Sequence, residues 1–472
     1  MKRTGMLLFL LTCTCMYAQP SFSQHMTLIR NIGLIDVEKG IVQKEANVLF
    51  RDSLITSITF GKKAVPLGAD TVIDGTGRFL IPGLWDMHTH VWSDELFFPL
   101  LIANGVTGIR DMFESNVRST EVWKKKMAEG KIYGPDLRVA GPILDGPKPI
   151  WPGSVAVSTP EEGRRAVDSL KDILHTDFIK VYSLLSRDSY FAIADEAKKE
   201  HIPFAGHVPN VISVSEAAKA GQKSQEHLYG FMEEASDSAD YLMQVIQGKI
   251  KDSTLSDRTL RMQFLFRTFN TRRLQELLHT IKTTGTWVCP TLTVLHSISY
   301  LNDSTLMNDP RMQYMGRGIR YGWDYKKDAR FKTWTPAMFK IFQQDFDYKL
   351  RIVKYLRDAG VPLLAGTDFP NPFCYPGFSL HDELQWLVKA GLTPAEALQT
   401  ATVNPARYLG IEQQSGTVSE GRTASMIILD ANPLLDIANT QKIEMVILRG
   451  KVLGKPTLQA LLDKAKRIAG PL

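Results

Sequence analysis

Ile81-Pro82-Gly83-Leu84-Trp85-Asp86-Met87-His88-Thr89-His90 is a short apolar run that ends in two histidines one residue apart. Side chains on a β-strand alternate between faces, so His88 and His90 point the same way and can share one metal ion. Taken alone, two histidines in a loop are as often plain polar surface. The rest of the chain decides between these readings.

Four later short runs each carry one candidate ligand. Asp177-Phe178-Ile179-Lys180-Val181-Tyr182 carries Lys180, Pro203-Phe204-Ala205-Gly206-His207-Val208 carries His207, Gln225-Glu226-His227-Leu228 carries His227, and Val361 to Asp368 ends in a carboxylate. Each on its own has an ordinary explanation. A lysine in a strand is commonly a snorkelling end residue, a single histidine a core residue, and Asp368 in Gly-Thr-Asp a turn or capping group. Their serial arrangement is harder to explain that way. Short strands separated by segments of helical composition describe repeated β-α units. In a (β/α)8 TIM-type barrel the C-terminal strand ends converge on one mouth, which makes residues remote in sequence spatial neighbours.

In the order His-X-His, Lys, His, His, Asp the chain resembles the amidohydrolase superfamily in its two-metal form. The resemblance implies that His88 and His90 from the first strand, Lys180 from the fourth, His207 and His227 from the fifth and sixth, and Asp368 from the eighth are the metal ligands. It also implies that Lys180 is N6-carboxylated: an ammonium is repelled by metal ions, whereas a carbamate is an anionic bridge between them. Imidazoles suit zinc and similar borderline metals, so two divalent ions, zinc first, are the expected cofactors. Water between two metals has its pKa lowered toward ~7. Asp368 would then pass a proton from that water to a leaving amine as general acid and base.

Weaker candidates surround this set. Tyr182, two residues past Lys180, and Tyr229, two past His227, are expected substrate contacts, although packing is an equal explanation for each. His296 follows Pro290-Thr291-Leu292-Thr293-Val294, read as the seventh strand, and is expected to line the pocket. Arg110 and Asp111 end a second-strand run and read as a structural ion pair. The loop Gly141 to Gly153 contains four prolines and Trp151; at its position it would overhang the metals, with Trp151 touching substrate. In the imidazolonepropionase and Xaa-Pro dipeptidase-like branch, which the chain resembles most, a glycine-histidine-rich loop is expected there instead. Lys180 also speaks against imidazolonepropionase itself, whose mononuclear site lacks that bridge.

The organisation outside the strands is also legible. Lys2-Arg3, an apolar core from Met6 to Leu11 and Ala18 describe a signal peptide over residues 1–18. The apolar run is too short to span a membrane, and the expected protein is exported, periplasmic or secreted, with no transmembrane segment once matured. Leu10-Leu11-Thr12-Cys13 is a poor lipoprotein box, which makes anchoring through Cys13 the weaker alternative. Of the four cysteines, Cys289 and Cys374 lie beyond that peptide, so no disulfide framework is expected. The formal charge of +6 is not arranged in a basic stripe with interleaved aromatics, which argues against nucleic acid. β-rich runs over 26–80 and 413–455 are expected to pair into one small discontinuous β-sandwich domain, flanking a barrel over 81–412 with helical insertions at about 232–284 and 297–356. Residues 456–472 would form a C-terminal helix or tail. A homo-oligomer is compatible with all of this.

The expected activity is hydrolysis of a C–N amide bond in a small molecule, such as an N-acyl amino acid, dipeptide or cyclic amide. Lactones or phosphotriesters on the same site form one alternative. A non-enzymatic binding barrel is the other, and it gives no reason for a full ligand set.

Overall fold

The computed structural model describes residues 25–61, 68–114 and 119–471. The proposed signal peptide and Cys13 lie outside them. Seventeen strands run in chain order: β1 (Met26–Asp36), β2 (Ile41–Arg51), β3 (Leu54–Phe60), β4 (Thr71–Asp74), β5 (Phe79–Pro82), β6 (Leu84–Thr89), β7 (Val106–Asp111), β8 (Asp136–Val139), β9 (Leu144–Asp145), β10 (Val155–Ala156), β11 (Ile179–Val181), β12 (Phe204–Gly206), β13 (Ser224–Glu226), β14 (Trp287–Cys289), β15 (Met426–Leu429), β16 (Ile443–Leu448) and β17 (Lys451–Gly454).

The terminal segments share one eight-stranded sheet, ordered β17-β16-β15-β5-β1-β2-β3 with β4 also on β1. The junction is the antiparallel pair β5–β15, Ile81 opposite Ile427. Where the sequence leads one to expect a sandwich, the terminal strands are joined in one hydrogen-bonded sheet, with β4 branching from β1. The reason lies in β1, whose register shifts between Ile29 and Leu34 let it pair with β4 early and β5 late. The sheet thereby closes over one core containing Ile29, Phe50, Ile73, Met426 and Ile447. Its other side is covered by the helix Lys455–Ala469, whose Leu458 packs with Val446, Leu448 and Ile102.

The central strands are parallel, a TIM-type α/β arrangement. β6, β7 and β8 form one set, and β9, β11, β12, β13 and β14 another. Every residue of β6, β7, β11, β12 and β13 is buried, as expected for strands covered on both faces. At one seam Asp177 N–H donates to the Val139 carbonyl (2.9 Å). At the other, Leu363–Phe369 lies between β14 and β6: Leu364 N–H donates to Val288 O (2.9 Å), Met87 N–H to Ala365 O (2.9 Å) and Asp368 N–H to His88 O (2.7 Å). The apolar run predicts a regular strand for this last segment. It makes only isolated bridges, because Pro362 and Pro370 lack donors and Asp368 takes a left-handed φ of 61°.

Helices between the strands supply the outer layer. The helix Pro160–Asp172 starts with a Thr159–Glu162 capping box and buries Ala166, Val167 and Leu170 against Ile193 and Ala197 of the helix Arg187–Lys199. The expected seventh strand at Pro290–Val294 is displaced. β14 ends at Cys289, Thr291 has φ 48°, and the helix Leu292–Ser299 begins there. The β-branched composition favours a strand, but the buried Glu383 carboxylate accepts the Leu292 and Thr293 N–H groups (3.0 and 2.7 Å), fixing a helix start. Among the described residues no helix is long and apolar enough to cross a membrane.

Candidate metal centre

The C-terminal ends of the parallel strands bring the six sequence-derived residues to one mouth. His88 and His90 leave β6; Asp368 Oδ1 lies 3.5 Å from His88 Nε2 and 2.9 Å from His90 Nε2, and its Oδ2 lies 4.0 Å from His227 Nδ1. Ring centroids of His88 and His227 are 4.6 Å apart, and those of His207 and His227 4.8 Å. Ligand atoms of His88, His227 and Asp368 all lie within 4.8 Å of one another. Lys180 enters from β11, 1% exposed.

Local backbone geometry aims these groups. His227 and Leu228 have φ of 66° and 59°, conformations that non-glycine residues adopt at a cost of order 1–3 kcal/mol and that cluster at functional sites. They swing His227 out of the strand while its N–H still donates to Cys289 O (3.0 Å). Gly206 (φ 132°) leaves room for the lysine, since a Cβ there would stand 2.8 Å from Lys180 Cδ and 2.3 Å from Val181 O. Asp86 accepts from Thr367 N–H (3.0 Å) and Oγ1 (2.7 Å), pinning the segment that carries Asp368 to β6.

The electrostatics favour uncharged donors around a cation. Burial is the main force holding the His88, His207 and His227 imidazoles well below their usual range, with Lys180 and neighbouring histidines adding to it. Burial pushes the Asp368 carboxyl up, but its hydrogen bond from His90 and the nearby cationic groups outweigh that and keep it below the ordinary value. Lys180 is pulled down to about 8, again chiefly by burial. The lowering favours the free amine, the form that reacts with carbon dioxide.

His88 Nε2, His90 Nδ1 and Lys180 Nζ are buried without a hydrogen-bond partner among the described residues. Leaving such groups unsatisfied costs about 1–3 kcal/mol each. The ligand atoms of His88, His227 and Asp368, all within 4.8 Å of one another, fit a divalent metal. The lysine would fit it only as an anion, which a carbamate would provide. Two of the imidazoles are oriented from behind: His207 Nδ1 meets Ser183 Oγ (2.8 Å), and His227 Nδ1 meets Thr291 Oγ1 (2.6 Å).

Behind His88 lies a buried relay that no sequence motif marks. Glu226 Oε2 is 2.9 Å from His88 Nδ1, and the Arg110 guanidinium donates to both Glu226 oxygens (3.0 and 3.1 Å) as well as to Ser224, Tyr408 and the Met87 carbonyl. Arg110 therefore pairs across the strands with Glu226. The expected Arg110–Asp111 pair does not form, because adjacent strand residues face opposite ways; Asp111 instead accepts the Val91 and Phe113 N–H groups. Glu226→Gln is expected to lower stability by about 3–5 kcal/mol, since Arg110 keeps a buried charge without its partner, and to weaken metal binding about 10–100-fold. Thermal melts and metal titration measure the two effects; unchanged metal affinity would remove Glu226 from any role in orienting His88.

A cavity of about 830 Å³ opens beside the ligands, lined by Trp151, Tyr182, His207 and Tyr229. Tyr182 stacks on His207 (3.9 Å between centroids), and its hydroxyl accepts from Trp151 Nε1 (2.8 Å), which ties the proline-rich loop over the mouth. Tyr229 contacts the rings of His207 and His227, 5.1 Å from each. His296 does not join them. One helical turn beyond the displaced strand, it packs among Tyr300, Phe346 and Trp386, and burial lowers it to about 4.

Comparison with known proteins locates the likeness. Residues 350–453 match the model of the amidohydrolase family. The imidazolonepropionase of Thermoplasma volcanium is 32% identical over 83 residues, 17% of this chain and 20% of that protein; the chain thus spans about a fifth of that relative's length. Among solved structures, a bottromycin amidohydrolase superposes with a TM-score of 0.72 at 22% identity, over 95% of this chain and 91% of its own. A Xaa-Pro dipeptidase with bound methionine in its active site gives 0.64 at 19% identity, over 91% and 100%. At such identities the structural likeness is one of fold.

Proposed function

We propose that the chain is a member of the amidohydrolase superfamily and an exported, metal-dependent hydrolase that cleaves a C–N amide bond in a small molecule, on a closed (β/α)8 barrel. The observation that carries this reading is the convergence of four histidines, Asp368 and an unpaired buried lysine beside the cavity. His88, His90, His207, His227, Asp368 and carboxylated Lys180 would hold two divalent ions, which supply Lewis acidity and acidify water when bound.

The chain's own residues account for the remaining steps. Trp151, Tyr182 and Tyr229 form a wall against which an amide can be oriented. Asp368 takes the proton of the attacking water on one carboxylate oxygen and returns it to the leaving nitrogen as the C–N bond breaks. Glu226 and Arg110 hold the His88 ring so that Nε2 faces that carboxylate. The Trp151 loop restricts water at the mouth, which strengthens the charge interactions beneath it.

The imidazolonepropionase and Xaa-Pro dipeptidase likenesses both concern C–N bonds, and they favour amides over esters. The test is a panel of N-acyl amino acids, dipeptides and cyclic amides assayed beside lactones and phosphotriesters. Turnover of at least one amide class is expected. Exclusive turnover of lactones or phosphotriesters would contradict the proposal.

A further inference from the structure

Among the described residues, the cavity beside the ligands holds one cation that is engaged by neither a hydrogen bond nor an ion pair. Arg258, Arg261, Arg330 and Lys349 all line it. Arg330 is gripped by Asp328, its Nε donating to both carboxylate oxygens (3.1 Å each). Lys349 Nζ pairs with Asp345 (3.1 Å), and Arg261 donates to the Leu255 carbonyl (3.3 Å). Arg258 has neither a hydrogen bond nor an ion pair among the described residues. Its guanidinium lies over aromatic faces, 4.4 Å from the centroid of Phe342 and 5.7 Å from that of Trp334.

Local structure does not explain the residue. Arg258 is the first residue of the helix Arg258–Thr268, which Asp257 caps by accepting the Leu260 N–H (2.8 Å). A cation in the first turn opposes the helix dipole, so helix stability disfavours it. Stacking on aromatic rings leaves the edge N–H groups of the planar guanidinium free to bond in that plane, the geometry that matches a carboxylate with two parallel hydrogen bonds. Of the acids lining the cavity, Asp345 is held by Lys349, and Glu234 accepts the Ser215 N–H (3.0 Å); Glu233 forms no ion pair with Arg258 among the described residues.

We infer that Arg258 anchors a carboxylate of the substrate, so that the substrate class is an N-acyl amino acid or dipeptide with a free carboxyl group instead of a neutral cyclic amide. This rests on the reading of the cavity as the substrate site. Arg258 is thus a specificity determinant, and the aromatic wall of Phe342, Tyr229 and Trp151 accommodates an apolar part of the same ligand.

Binding of two probes without a scissile amide tests it: 3-phenylpropionate and the uncharged 3-phenyl-1-propanol, titrated calorimetrically into the metal-loaded full chain. The acid is expected to bind at least about tenfold more tightly than the alcohol, the size of one charge-assisted hydrogen bond or more. In Arg258→Met, which keeps an apolar stem on Phe342, the preference should fall below about threefold, and Arg258→Gln should give the same result. Glu233→Gln should leave the preference at or above that of the parent protein. A preference that survives both Arg258 substitutions places the carboxylate elsewhere, on the metals or on Lys349, and overturns the inference. Equal binding of acid and alcohol to the parent protein overturns it too. Because no turnover is read, a protein inert toward every amide would defeat the proposed function, while the two probes would still decide the role of Arg258.

Discussion

Asp368→Asn is expected to reduce kcat about 10³-fold, within the range ascribed to a positioned general acid and base, while the fold and much of the bound metal persist. The structure gives reasons for both halves. The Asp368 carboxylate touches His88, His90 and His227, whereas its turn is held by backbone: Asp368 N–H to His88 O (2.7 Å) and Asn371 N–H to Asp368 O (3.2 Å). Asparagine is among the few side chains that tolerate the left-handed φ of 61° found there. It retains an oxygen that can ligate but has no basicity with which to shuttle a proton. Steady-state kinetics on the best amide, with a metal assay on the same sample, checks this. A kcat within about threefold of the parent would take the proton transfer away from Asp368.

Lys180→Ala should be similarly damaging to activity and, in the metal-free protein, harmless to stability. The amine is buried without a hydrogen-bond partner among the described residues, so removing it relieves an unsatisfied polar group and offsets the cavity it leaves. If its carbamate is the anionic bridge, the variant should lose about 10²-fold or more in kcat/KM and recover part of it when acetate or propionate is added to occupy the gap. Melting temperature near that of the parent, both metal-free, would separate loss of chemistry from loss of fold. Undiminished kcat/KM in the variant would contradict the bridging role.

The ligand cluster is legible in the sequence because its logic is one-dimensional. Each candidate ligand sits in or just after its own short strand-like run, and a parallel α/β array carries the strand ends to the same mouth. What escapes the sequence depends on local departures from regular geometry. Strict alternation puts Glu226 and His227 on opposite faces. The positive φ of His227 breaks that alternation, and both residues then reach His88, one from behind and one from beside. Sequence alone pairs Arg110 with its neighbour Asp111, because nothing in it signals that a carboxylate 116 residues away arrives on the same side. The seventh strand ends earlier than its composition suggests, because a β-branched run, Thr291 to Val294, is held as a helix start by the distant Glu383. His296 moves with it, away from the cavity. Arg258 leaves no mark in the sequence either, since what distinguishes it is having no hydrogen-bond or ion-pair partner among the described residues, in a cavity where the other cations are engaged.

The paired terminal β segments show the same division. Their composition announces strands, and closeness of chain ends suggests pairing. The single continuous sheet follows from the irregular register of β1, which only coordinates reveal.

The metal content of the mature protein, purified without chelators and measured by plasma mass spectrometry, tests the central claim most directly. About two divalent ions per chain are predicted, because four imidazoles, Asp368 and a Lys180 carbamate would together hold a bridged pair. Fewer than about one ion per chain, unchanged after incubation with zinc or manganese and bicarbonate, would mean that these six residues do not form that site, and the hydrolytic reading would fall with it.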